Sequence, residues 1–221
     1  MHLQERWAEA LSFLQQGGPA IWAIAALSVI TGVLILWKIW RLVLMGAWAG
    51  RTAEHAVLLW CQGDRNGAQS VLSGRRSLRA VVAAATMRVT AENRLCAAQQ
   101  REEIERVARR KLGDARVGLR ALELIATIAP LLGLLGTVLG MIAAFQTLQE
   151  AGSRADPADL AGGIWEALLT TAAGMAVAIP ASVALTWFES VVQRAQEDME
   201  DAATRIQTSA PNAQDVPLAA E

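Results

Sequence analysis

Three uncharged runs govern what this 221-residue chain can fold into: Ala20 to Trp37, Leu124 to Phe145 and Ala167 to Phe188. As helices at 1.5 Å per residue they reach about 27, 33 and 33 Å, against a hydrocarbon core of about 30 Å. A charge-rich middle section separates the first from the second. That distribution is the one expected of an integral membrane protein, and the composition agrees, with 53% apolar residues, 5% aromatics and no tyrosine. Trp22 lies near one end of the first run, and Trp37 and Trp40 near the other, where interfacial anchors belong. The residues before it lack a basic n-region and no small-residue cleavage site follows it, so it reads as an uncleaved first span rather than a signal peptide.

Charge sets the orientation. Between residues 43 and 120 fourteen Arg and Lys stand against seven acids, whereas the linker from Gln149 to Leu160 has Arg154 as its single base. By the positive-inside rule the middle section is cytoplasmic and the N-terminus and 149–160 linker are outside. The resulting layout is an amphipathic periplasmic helix over 1–18, with Leu3, Trp7, Leu11 and Leu14 on one face, and a transmembrane helix over 19–42. A cytoplasmic helical section over 43–120 follows, then a transmembrane helix over 121–148, a periplasmic linker over 149–160 and a transmembrane helix over 161–190. Residues 191–221 form a cytoplasmic C-terminal helix and a polar tail marked by Pro211, Asn212 and Pro217, read as disordered. The fold expected is all-α, with three transmembrane helices and long cytoplasmic helical extensions. Residues 63–67 and 73–76 signal turns, and the run from Ser77 to Arg120, without proline, is read as a long helix continuing from the membrane.

Several function classes are excluded by what is absent. Net charge is −1, so no overall basic bias points to nucleic acid, and the basic cluster Arg106, Arg109, Arg110 and Lys111 reads as a flank facing anionic lipid headgroups. Cys61 and Cys96 are expected as free thiols, and His2 and His55 are too far apart for a metal site. No nucleophile and base are paired, so no enzyme and no cofactor are expected.

The second and third runs carry the pattern that chemistry could use. Gly133, Gly136 and Gly140 are spaced three and four apart, forming one stripe that lets a neighbouring backbone approach closely, and Gly174 is the matching small residue on the third run. GLLGTVLG lacks the ending of a P-loop, so it is not a nucleotide site. Pro130 and Pro180 are kink candidates. Thr137 and Thr171 fall at comparable depths in their antiparallel helices, and Glu166 is placed in the first turn of its helix, where the helix dipole favours a carboxylate. No Asp, Lys, Arg or His interrupts the three runs. If protons cross, another chain must bring the central carboxylate.

IAPLLGLLGTVLGMIAAF followed by GGIWEALLTTAAGMAVAIPA closely resembles the MotA/TolQ/ExbB proton-channel family over about residues 122 to 190, and the three-span layout favours the ExbB and TolQ branch. The resemblance implies a homopentamer in the bacterial inner membrane, around a pore that holds the single membrane helix of an ExbD- or TolR-like partner. That partner's intramembrane aspartate takes the proton, and a TonB- or TolA-like protein is a further partner. It sets the family's pore threonines on Thr137 and Thr171 and its third-helix glutamate on Glu166. Thr170 lies about 40° from Glu166 around the helix and Thr171 about 140°, so either hydroxyl of the pair is a candidate for the pore. The function implied is proton-driven energisation of an outer-membrane process. Tol-type envelope maintenance and a passive membrane scaffold are the alternatives.

Overall fold

The computed structural model describes residues 18–92, 95–152 and 156–209. The expected N-terminal amphipathic helix and polar C-terminal tail lie outside the described residues, apart from Gly18 and the last residues before the tail. Among the described residues seven helices follow in order: α1 (Gly18–Leu44), α2 (Arg51–Cys61), α3 (Arg65–Leu72), α4 (Leu78–Glu92), α5 (Ala97–Arg116), α6 (Leu119–Ala151) and α7 (Pro157–Thr208). Among the described residues no strand occurs. Helical stretches within Ala20–Leu44, Ala97–Ala151 and Leu160–Thr208 are long and apolar enough to cross a membrane.

The chain divides into two compact units, the first formed by Met1–Trp37 and Gly118–Trp187 and the second by Lys38–Val117 and Phe188–Glu221. In the first, Ile24 of α1, Ile125 and Ala129 of α6, and Val177, Ala178 and Ala181 of α7 are buried together. Apolar residues of the same helices, Leu36, Leu131, Ile179 and Val183, are exposed. This is an inverted surface, which costs nothing where the surroundings are lipid.

The second unit is built the ordinary way round. Ala56, Val57 and Trp60 of α2, Leu72 of α3, Met87 of α4 and Ile206 of α7 close one core, and the Trp60 indole donates to the Ile206 carbonyl at 3.3 Å. Arg79, nearly buried, donates to the Ala47 carbonyl and to Asp198 Oδ2 at 2.6 Å, which ties the turn after α1 to α4 and α7. Cys61 and Cys96 are both exposed and unpaired.

The continuous helix expected from Ser77 to Arg120 is broken twice. Cys96 is extended, with ψ 160°, and its N–H donates to Gln99 Oε1 at 3.2 Å, so a polar side chain starts α5 where no proline or glycine announced it. The second break is Gly118, whose φ of +88° only glycine adopts without strain. A Cβ there would also lie 2.8 Å from the Trp37 ring. The freed carbonyls at the end of α5 are taken by Lys38, 1% exposed, whose Nζ donates to Ala115 O at 2.5 Å and Val117 O at 2.6 Å. A cation at a helix C-terminus also meets the negative end of the dipole.

Candidate functional site

The glycine stripe of α6 lies directly on α7. A Cβ at Gly133 would stand 2.9 Å from Thr171 Cα, one at Gly136 2.8 Å from Thr170 Cβ, and one at Gly140 3.0 Å from Ala167 Cβ. From the other side, a Cβ at Gly174 would stand 2.6 Å from the Ala129 carbonyl oxygen. These separations leave no room for a methyl group, so the two backbones touch through hydrogen alone. The seam continues at Gly163, where a Cβ would come 2.6 Å from Ala144 Cβ. Sequence reasoning missed Gly163 because it stands at the edge of the polar linker, outside the uncharged run.

Close approach brings two hydroxyls onto one carbonyl. Thr171 Oγ1 donates to Gly133 O at 3.0 Å, and Thr170 Oγ1 lies 3.2 Å from the same oxygen and 2.7 Å from Ala167 O in its own helix. Thr170 is 3% exposed, whereas Thr171 is half-buried. Thr137 is not part of this cluster. Its hydroxyl donates to Leu134 O at 2.6 Å, the backbone bond a threonine makes within its own helix. Of the candidate threonines, Thr171 is the one whose bond runs wholly across to the other helix.

Glu166 is half-buried on α7, nine residues after Pro157. The expectation of a first-turn glutamate is corrected here, because Asp156 Oδ1 accepts the Ala158 N–H at 2.8 Å and Pro157 fills the first helical position. That cap starts α7 more than two turns before Glu166, and a dipole effect confined to the first turn does not reach it. The helical ends also enter the expected 149–160 linker from both sides, since α6 runs to Ala151 and α7 begins at Pro157. Pro130 and Pro180 are both inside their helices, which continue past them.

Chemically, the cluster offers hydroxyl oxygens and no titratable group. Each threonine that donates its proton to Gly133 O keeps lone pairs able to accept from an acid brought alongside. The buried threonine of α1 offers nothing comparable, because Thr31 Oγ1 donates to Leu27 O at 2.7 Å within its own helix.

A family model described as the MotA/TolQ/ExbB proton channel family matches residues 75–201, more than half of the chain. The chain belongs to that family. The match takes in α4 and α5 as well as the α6 and α7 spans, so membership rests on more than the two glycine-rich runs. Relatives carry ExbB names. An ExbB-like biopolymer transport protein of Synechocystis is 44% identical over 99 residues, covering 44% of this chain and 38% of its own length. The biopolymer transport protein exbB1 of Vibrio cholerae is 52% identical over 64 residues, covering 29% of this chain and 28% of its own. The biopolymer transport protein ExbB of Neisseria gonorrhoeae is 32% identical over 133 residues, covering 60% of this chain and 58% of its own. In each case the match spans less than two thirds of the relative. With three helices able to span a membrane among the described residues, this family member is a multi-pass membrane protein.

Proposed function

We propose that this chain is the ExbB-type channel subunit of an inner-membrane complex that converts the proton gradient into motion of a partner. Copies of the chain, five by family resemblance, surround a pore that holds the single membrane helix of an ExbD- or TolR-like protein. The biopolymer transport names of its relatives favour TonB-type energisation over Tol-type envelope maintenance. The N-terminus is periplasmic and the C-terminus cytoplasmic in this reading.

The observation that carries the reading is the convergence of the Thr170 and Thr171 hydroxyls on the Gly133 carbonyl, between two runs that hold no titratable side chain from Leu124 to Phe145 and from Ala167 to Phe188. Hydroxyls in that setting can align a carboxylic acid but cannot store its proton, so the aspartate comes from the partner. Thr170 is enclosed and committed to two carbonyls, which leaves Thr171 as the hydroxyl that meets the partner. Thr137 supplies a second hydroxyl on the α6 wall, and Glu166 attracts protons at the outer mouth. A proton crossing 100 mV releases about 2.3 kcal/mol, which biases a two-state equilibrium about fifty-fold.

The test is Thr171→Val, which keeps the shape and removes the hydroxyl. Reconstituted with an ExbD-like partner in proteoliposomes, the variant is expected to lose at least about tenfold of the proton flux, a change of about 1.4 kcal/mol. Flux equal to wild type would remove Thr171 from the path. Wild-type vesicles that pass no protons with the partner present would point to the passive scaffold instead.

A further inference from the structure

Helix α5 is flanked by two grooves whose charges differ. On the side of α7 a groove of about 990 Å³ mixes Arg101, Arg109 and Arg116 with Glu105 and Glu200. On the side of α4 a groove of about 670 Å³ is lined by Arg75, Arg88, Arg106, Arg110 and Lys111, with Asp114 as its one carboxylate. Arg106 is already engaged, since both its Nε and Nη2 donate to Glu103 at 2.7 Å and hold that carboxyl below the ordinary glutamate range. Arg75, Arg88, Arg110 and Lys111 form no ion pair among the described residues. The floor between them is small and apolar, formed by Val81, Ala84 and Val107.

The same unit carries the opposite imbalance on α7. Asp198 is paired with Arg79, and Asp201 with Arg205. Glu197 and Glu200, three residues apart and exposed, meet neutral amides instead, from Gln193 at 3.0 Å and Gln196 at 2.8 Å. One copy therefore has a groove with an excess of basic groups between α4 and α5, and on α7 two exposed glutamates without an ion pair among the described residues, of which Glu200 also lines the α5–α7 groove.

Their heights agree. Arg116 donates to Gln196 at 3.1 Å, and Leu112 shares a groove with Met199 and Glu200, so Arg110 and Lys111 lie within about one helical turn of Glu200 along the helix axes. Rotation about an axis parallel to α7 preserves height, and a contact between two different faces closes a ring when the rotation divides a full turn.

We propose that the α4–α5 groove of one copy receives the Glu197 and Glu200 face of α7 from the next copy, repeating around the ring. The proposal rests on the homo-oligomer of the functional reading and names the surfaces that build it. Arg110 and Lys111 meet the two glutamates, and Ala84 and Val107 leave room for the incoming helix. Such pairs set register and suppress wrong partners more than they add raw affinity.

The experiment uses the full chain in detergent micelles, with the assembly followed by native mass spectrometry and helicity by circular dichroism. Arg110→Glu with Lys111→Glu is expected to weaken the oligomer at least about tenfold, and Glu197→Lys with Glu200→Lys likewise. Combining all four is expected to restore assembly to near wild type. Arg110→Gln with Lys111→Gln gives a milder loss, which keeps the test open should a reversal fail to fold. An oligomer untouched by either reversal, or weakened and not restored by the four-fold swap, would overturn the proposal while leaving the oligomer in place. Loss of binding to phosphatidylglycerol vesicles or to inorganic phosphate, with assembly unchanged, would overturn it in favour of a phosphate-bearing ligand in the groove. A wild-type chain that stays monomeric would overturn the oligomer reading itself.

Discussion

The α6–α7 seam of the first unit and the core of the second are packed differently. In the first, glycines lie where two helices touch, and the positions Gly133, Gly136 and Gly174 have no space for a methyl group. In the second, Gly113 of α5 has nothing within 4 Å of the Cβ it lacks, and the core is filled by Trp60, Met87, Leu72 and Ile206 together with alanines such as Ala56, Ala68, Ala80 and Ala83. The difference follows from the solvent each unit is built for. Where water surrounds a helix bundle, large apolar side chains gain by turning inward. Where lipid surrounds it they gain nothing by doing so, and close backbone approach through small residues holds the helices together. Hydroxyls bond backbone carbonyls in both units, as Thr171 and Thr86 do, and the second unit adds ion pairs such as Arg79 with Asp198 and Arg205 with Glu54.

That contrast can be broken most severely at Gly174. Valine there would drive a side chain into the Ala129 carbonyl, forcing α6 and α7 apart at a cost of about 3 kcal/mol or more. Unfolding of purified protein in detergent would show it, and a variant as stable as wild type would mean that the two helices do not touch as described. Next is Lys38→Met, which keeps the aliphatic stem and strands two carbonyls at the end of α5. The expected loss is about 2 to 4 kcal/mol. Its reading is the protease sensitivity of the Val117–Gly118 turn together with the melting temperature, and no change in either would mean that water satisfies those carbonyls. The smallest effect has the opposite sign. Gly113→Ala is expected to stabilise by about 0.5 to 1 kcal/mol, because the methyl meets open space and the unfolded chain loses freedom. Equal destabilisation by Gly113→Ala and by alanine at Gly136 would erase the distinction between the two kinds of glycine.

The spans were legible because each is a long uncharged run, a property of the chain that needs no partner to detect. The seam between α6 and α7 was legible for a similar reason, since glycines three and four apart fall on one helical face whatever that face meets. The break of the middle section was not. It depends on Gln99 reaching the Cys96 N–H and on Gly118 adopting positive φ beneath Trp37, and neither residue differs in kind from others that leave a helix intact. Glu166 was misplaced because the Asp156 and Pro157 cap lies in the polar stretch before the uncharged run, where hydropathy carries no information about helix starts.

What the sequence determined by itself was the number of long uncharged runs, the glycine face on the second of them, and the lack of a titratable group within those runs. These follow from residue type and spacing along one helix. Only the tertiary structure decided that Thr170 turns inward while Thr171 reaches across to Gly133, that Lys38 closes the end of α5, and that α5 separates a groove of mixed charge from a basic one. Adjacent residues on a helix differ by about 100° in direction, so which of two neighbouring threonines faces a partner helix is fixed by packing between helices and cannot be read from either helix alone.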